Sequence, residues 1–184
     1  MTKKEFDIAV IGSGPGGYVA AIRAAQLGYE VVIIEKYPVL GGTCTNVGCI
    51  PSKALLDSSE QYHQAASKFE QHGIELSSLS LDFQQFMKRK NDVVKSNTDG
   101  IKLLMSKNKI TVVQGLGSFV NSHTLSIRPD NGDSFTIRAN HFIIATGSKP
   151  SSIPGVEVDK KHIITSTEAL YLKEQPENLT IIGG

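Results

Sequence analysis

The chain has 184 residues, 40% of them hydrophobic and 20% charged, with 19 lysines and arginines against 18 aspartates and glutamates, a formal net charge of +1. That balance excludes a nucleic-acid binder driven by basic charge and an acidic tail protein, and the hydrophobicity excludes wholesale disorder. The length suits about one domain of roughly 100–200 residues with a sizeable core. No apolar run reaches the ~20 residues of a membrane helix, and the N-terminus from Met1 to Asp7 has no signal-peptide h-region, so a soluble cytoplasmic protein is expected.

Phe6–Ile11 is a short apolar run of the kind a buried parallel strand requires. Gly12-Ser13-Gly14-Pro15-Gly16-Gly17 follows, then an Ala-rich helix from Tyr18 to Leu27 closed by Gly28, then a second buried strand, Val31–Ile34, ending at Glu35. Together they make a βαβ unit in about thirty residues. A glycine-rich turn holds the chain's two cysteines, Cys44 and Cys49, after which the composition predicts a helix from Ser52 to Gln71 stopped at His72-Gly73. Asp82 can cap a further long helix, with Gln85 placed as in a capping box. Phe83, Phe86, Met87, Val94, Ile101, Leu104 and Met105 recur along it at helical spacing, and Gly100 weakens its far end.

Strands are expected next at Ile110–Val113, Ser118–Val120, Thr124–Ile127 and Phe135–Arg138, the last three as an antiparallel meander around tight turns. His141–Ala145 is another buried strand, entering Thr146-Gly147-Ser148. Leu179–Ile182 reads as one more strand running into Gly183-Gly184. A dinucleotide fold needs a helix after such a turn, so the chain is expected to be a piece of a longer protein.

Gly12-x-Gly14-x-x-Gly17 lies between a strand and a helix, the context that a dinucleotide fingerprint needs. Gly12 permits the tight turn, Gly14 lets the backbone approach a pyrophosphate, and Gly17 lets the helix lie close to the strand. Unpaired amides and the dipole at the helix start then stabilise phosphate charge. Glu35, at the end of the second strand, can accept hydrogen bonds from ribose hydroxyls, where an arginine would instead suit a 2′-phosphate. The motif alone does not separate FAD from NAD, and a purely structural βα turn competes with it.

Gly41-Gly42-Thr43-Cys44-Thr45-Asn46-Val47-Gly48-Cys49-Ile50-Pro51-Ser52-Lys53 carries the second signal. Two cysteines so spaced at a helix start can bring their Cα atoms within the ~4.4–6.8 Å of a disulfide. A helix N-terminus raises the thiolate fraction, and one thiolate can attack an external disulfide while the other resolves the mixed intermediate. Lys53 adds positive charge one to two turns along, suited to an anionic partner. Three plainer readings compete: two buried reduced cysteines, a static bridge, and a metal site, for which the roughly four nitrogen or sulfur ligands are lacking.

The run from Gly42 to Leu56, Gly-Thr-Cys-x-Asn-Val-Gly-Cys-Ile-Pro-Ser-Lys-Ala-Leu-Leu, resembles the redox signature of the FAD-dependent pyridine nucleotide–disulfide oxidoreductases, and within them the lipoamide branch. With the fingerprint and Ala145-Thr146-Gly147-Ser148 in order, the likeness spans the chain; Thr45 departs from the leucine usual in the signature. The resemblance implies an α/β fold, a Rossmann-like FAD-binding domain with a central parallel sheet, an antiparallel β-meander and a two-helix excursion. That domain would occupy residues 1–150, with the redox-cysteine helix at 44–71 and the excursion reaching 105. Residues 151–184 would be a linker and the first strand of an NAD-binding domain.

The same resemblance implies residue roles. Cys44 would be the interchange thiol that meets dihydrolipoamide, Cys49 the flavin-side thiol that forms a charge-transfer pair, and Lys53 the support of the reduced, anionic flavin. Glu35 would hold the ribose, and Lys36, Gly41, Gly42 and Thr43 would line the path of FAD. Gly117, beside Gly115, would pass the adenine, and Thr146, Gly147 and Ser148 would close the domain. The implied activity moves electrons from dihydrolipoamide on a lipoyl domain of a 2-oxo acid dehydrogenase complex to FAD and then NAD⁺, in a homodimer. Part of the helical excursion from Ser52 to Met105 would contribute subunit contacts, although packing on the sheet explains its apolar stripe equally well. The family's acid–base His–Glu pair lies outside this chain. His63, His72, His123, His141 and His162 therefore take no catalytic role, and the chain alone is expected to hold FAD weakly or not at all and not to turn over. The rivals are a glutathione or mercuric reductase type and a non-catalytic FAD-binding module with unreactive cysteines.

Overall fold

The computed structural model describes residues 5–151 and 153–183. The start of the chain, on which the reading of the N-terminus partly rests, and Gly184 of the final glycine turn lie outside the described residues. The βαβ unit consists of β1 (Glu5–Ile11), α1 (Pro15–Gln26) and β2 (Val31–Glu35). Its helix begins at Pro15 rather than Tyr18, because proline suits the first helical position, where its fixed φ is already helical and its missing N–H is not needed. Three helices follow before the next strand: α2 (Gly42–Val47), α3 (Cys49–Ser67) and α4 (Phe83–Lys107). The remaining strands are β3 (Thr111–Gln114), β4 (Leu116–Asn121), β5 (Thr124–Arg128) and β6 (Phe135–Ile144), with a short helix α5 (Ser166–Ala169) beyond them.

The strands form one six-stranded sheet in the order β3-β2-β1-β6-β5-β4. β3, β2, β1 and β6 run parallel, and β6, β5 and β4 run antiparallel, giving the expected central sheet and meander. The two strands expected at Phe135–Arg138 and His141–Ala145 are one strand of ten residues. Ile137 and Ala139 are buried while Arg138 and Asn140 are exposed, so the alternation runs to Asn140. Past the exposed His141 it is the parallel pairing with β1 that carries the strand on through the polar stretch that had suggested a break. The first half of β6 pairs antiparallel with β5 and the second half parallel with β1.

Two compact units divide the chain. The first takes the chain to Asn46 and Lys95–Lys149, and the second takes Val47–Val94 and the chain from Pro150. In the first, the sheet's two faces carry separate cores. Val32, Ile34, Val113, Leu125, Ile127 and Ile137 pack on one face, and Val10, Ala21, Ile33, Leu40, Ile101 and Met105 on the other. All five residues of β2 are buried, as a central parallel strand covered on both faces requires.

In the second unit, Arg89 of α4 clasps α3, donating from Nη1 to the Ala54 carbonyl at 2.9 Å and from Nη2 to Asp57 at 2.5 Å. α3 ends at Ser67 and continues as a 3-10 turn, Phe69–His72, before Gly73 takes the left-handed conformation. α4 runs straight through Gly100, and Asp82 accepts from the Gln85 N–H as expected of a cap. Its apolar stripe is only partly realised. Ile101 and Met105 are buried, Leu104 is 42% exposed, and Lys90 and Thr98 occupy buried positions instead. Leu179–Ile182 is not a strand. Extended backbone becomes a strand only by pairing, none of the described strands pairs with this segment, and Ile181 is 76% exposed. Among the described residues no helix is long and apolar enough to cross a membrane.

Candidate functional site

β1 has parallel neighbours on both sides. The chain leaves it through α1 toward β2 and returns on the opposite side as β6. The connections at the carboxyl ends of β1 and β6 therefore diverge, and such a switch point is where doubly wound sheets bind ligands. Gly12 stands there with φ +99°, and its N–H donates to the Ile34 carbonyl at 2.8 Å. A Cβ on Gly12 would lie 2.3 Å from the Ala145 carbonyl oxygen, and one on Gly17 would lie 1.9 Å from that of Gly12. The protein's own packing demands glycine at both positions. Gly14 differs, since a Cβ there meets nothing nearer than the Gly42 Cα at 4.0 Å. Open space thus faces the start of α1, whose first turn has neither an acidic residue nor a side-chain cap to offset the helix's positive end. An open glycine at an uncapped helix N-terminus is what a dinucleotide pyrophosphate needs, and the residues present fit that group.

Glu35 is buried at the end of β2. One carboxylate oxygen accepts from the Ser13 N–H at 2.9 Å and from its hydroxyl at 2.6 Å, and the other accepts from the Tyr37 N–H at 3.0 Å. Ser13 in turn takes the Gly41 N–H on its carbonyl at 3.0 Å and on its hydroxyl at 3.2 Å. The glycine turn after β1, the Glu35 carboxylate and the start of the cysteine segment are therefore one hydrogen-bonded assembly. Next to Gly41, Gly42 has φ +59°, and a Cβ on it would lie 2.7 Å from the Gly14 Cα. Two glycines without side chains let these two turns touch through their backbones. A cleft of about 480 Å³ opens beside Glu35, with Leu40, Met105 and Ile110 on its apolar side and Lys102 and Gln114 among its polar groups.

The cysteine segment, expected as a glycine-rich turn leading into a helix, is itself helical. Cys44 sits within α2 and is half-buried, while Cys49 opens α3 and is exposed, with Gly48 as its N-cap in non-helical geometry. Neither is in a disulfide. Thr45 is 4% exposed and packs on Gly41, so the departure from the usual leucine falls inside the α2 packing. Lys53 lies exposed on α3 in the second unit, and Lys36 and Thr43 are exposed in the first. Gly117 lies in β4 with its Cβ position 3.5 Å from Ile34, an ordinary contact. Thr146, Gly147 and Ser148 are exposed just past β6. All five histidines are exposed.

Sequence reasoning missed three participants: Ser13, Asn46 and Thr98. Ser13 is the only hydroxyl in the fingerprint turn and Asn46 the only side-chain amide between the cysteines, so both had a local signal. Thr98 had none, because its partner Asn46 is distant in the chain.

Residues 6–184 match the family model described as pyridine nucleotide-disulphide oxidoreductase. The chain belongs to that family. Within the pyridine nucleotide-disulphide oxidoreductases, it is 51% identical over 181 residues to the mitochondrial dihydrolipoyl dehydrogenase of Schizosaccharomyces pombe, covering 98% of this chain and 35% of that protein. It is 50% identical over 179 residues to the mitochondrial dihydrolipoyl dehydrogenase of Pisum sativum, covering 97% and 36%. A leghemoglobin reductase of Vigna unguiculata is 51% identical over 97% of this chain and 34% of its own length. The chain thus spans about a third of the length of these relatives. Among solved structures, a copper(II) complex of a cysteine-to-serine mutant of the flavoprotein disulfide reductase RclA from Escherichia coli superposes with a TM-score of 0.77. It is 27% identical over 94% of this chain and 35% of its own. The expectation of a cytoplasmic protein is overturned by this comparison, since the yeast and pea relatives are named as mitochondrial.

Proposed function

We propose that the chain is the FAD-binding, disulfide-bearing part of a dihydrolipoyl dehydrogenase that serves a 2-oxo acid dehydrogenase complex, works as a homodimer and uses NAD⁺. The observation that carries this reading is the placement of its two cysteines, one within α2 and the other at the first position of α3, in a chain about half identical to proteins of that name. In this reading residues 1–150 bind FAD and residues 151–184 lead toward the NAD-binding domain. Gly14 and the amides opening α1 receive the pyrophosphate and Glu35 the ribose. Lys36, Gly41, Gly42, Thr43 and Gly117 border the same path, and Thr146, Gly147 and Ser148 lie at its far side. FAD, when bound, supplies a two-electron acceptor able to pass a hydride to a nicotinamide.

The chain's own chemistry is thiol–disulfide exchange. A thiolate of dihydrolipoamide attacks the oxidised pair at Cys44 and forms a mixed disulfide while Cys49 leaves as thiolate. The second substrate thiol then closes the lipoamide ring and releases Cys44. Two electrons and two protons leave the substrate, and one protein disulfide becomes two thiols. Lys53 contributes positive charge on the helix that Cys49 opens.

Dihydrolipoamide in stoichiometric amount should reduce the pair completely, whereas reduced glutathione at equal concentration should not, because only a dithiol releases its product by ring closure. Thiol counting by alkylation and mass reads both. Reduction by glutathione but not by dihydrolipoamide would favour the glutathione reductase type and contradict the proposal.

A further inference from the structure

The Asn46 carboxamide uses all of its hydrogen-bonding groups within the first unit. Its Nδ2 donates to the Leu40 carbonyl at 2.9 Å and to the Gly42 carbonyl at 2.9 Å, and its Oδ1 accepts from the Thr98 hydroxyl at 3.4 Å. Gly42 opens α2 and Leu40 precedes it, so the side chain reaches back over the segment that contains Cys44 and fastens both ends of it. Thr98 is 5% exposed on α4, a long helix that gives the amide a fixed outside anchor. Gly42, at one end of the clip, is also the residue packed on Gly14 of the fingerprint. The backbone that carries Cys44 is thus tied on both sides of the thiol.

We infer that Asn46 and Thr98 are positioning residues that hold the Cys44 segment in the arrangement from which the disulfide closes. The inference rests on the redox reading given above. A disulfide tolerates a narrow range of Cα separations and torsions, and a thiol held in place loses less conformational freedom on closing than one on a loose segment. An amide suits the place, since it brings two N–H donors to the two carbonyl oxygens and an acceptor to the Thr98 hydroxyl. An aspartate of the same shape supplies no donor and sets negative charge against both carbonyls. Releasing the clip favours the dithiol and makes the pair more easily reduced.

The test is a glutathione redox titration of the protein, read by alkylation and mass, for wild type, Asn46→Asp, Thr98→Val and Thr98→Ser. Asn46→Asp should shift the equilibrium constant toward the dithiol about tenfold, about 30 mV in potential. Thr98→Val should shift it about threefold in the same direction, as loss of one modest hydrogen bond would, and Thr98→Ser, which keeps the hydroxyl, should restore it. A role confined to fold stability would lower the melting temperature and leave this equilibrium in place. A pair that titrates in wild type but moves less than twofold in both Asn46→Asp and Thr98→Val overturns the inference alone. A wild-type pair that closes at no glutathione ratio overturns the redox reading together with it. Should Asn46→Asp fail to fold, the comparison of valine with serine at position 98 decides in the same way.

Discussion

Ser13 has no exposed surface, yet its amide, hydroxyl and carbonyl are all engaged, two with Glu35 and two with the Gly41 N–H. Removing the hydroxyl leaves Glu35 with one donor fewer in a buried site, a loss of about 2 kcal/mol. Ser13→Ala should therefore lower the melting temperature by about 4–8 °C. A variant that melts with the wild type would show that the hydroxyl bonds are dispensable. Asp159 shows the opposite regime, a site open to solvent. One of its carboxylate oxygens accepts three backbone N–H groups, from Lys161, His162 and Ile163, at 2.7–2.9 Å. The amides of Lys161 and Ile163 lead in holding its carboxyl at about 2, below the ordinary 3.8. The lowered value means that its contribution to stability is complete above about 3.8 and is lost as pH falls through about 2. A carboxyl NMR titration should find a midpoint near 2, and a midpoint at the ordinary value would contradict the turn.

Helix α5 has only four residues and too few internal bonds to persist alone. Its order comes from a capping box between Thr165 and Glu168 and from α4, where the buried Lys90 ammonium donates to the Leu170 carbonyl at 2.7 Å and stands 4.7 Å from the Tyr171 ring centre. Burial lowers the Lys90 pKa from its usual 10.5, so the carbonyl and the ring are what keep the charge tolerable there. Lys90→Met keeps the apolar stem and removes the charge. The amides of Ala169, Leu170 and Tyr171 should then exchange about tenfold faster, and unchanged exchange would show that the capping box suffices. These partners also mark where the sequence stopped being legible. β1, α1 and β2 follow from local periodicity and turn residues. α2 was hidden because Gly-Thr-Cys-Thr-Asn-Val has the composition of a loop and is fixed by packing on Ser13 and Gly14. Lys90 and Thr98 broke the expected apolar stripe of α4 because their hydrogen-bond partners, at Leu170 and Asn46, come from distant parts of the chain.

At the scale of the whole molecule, the fingerprint turn meets the Gly41-Gly42 turn through Ser13 and Gly14 with Glu35 beside them, and all of these but Ser13 were readable from residue spacing. The fingerprint, Glu35 and the cysteine pair each announce a chemistry through residue types at fixed intervals. The cellular compartment does not, since neither composition nor the first residues distinguished the cytoplasm from the mitochondrion named for the yeast and pea relatives. The proposed chemistry stands on Cys44 and Cys49 opening and closing as a pair. Counting alkylatable thiols per chain after equilibration with oxidised glutathione, and again after mild reduction, tests it most directly. None and then two should be found, with one throughout in Cys44→Ser once mixed disulfides are excluded by mass. Two alkylatable thiols under both conditions would contradict it.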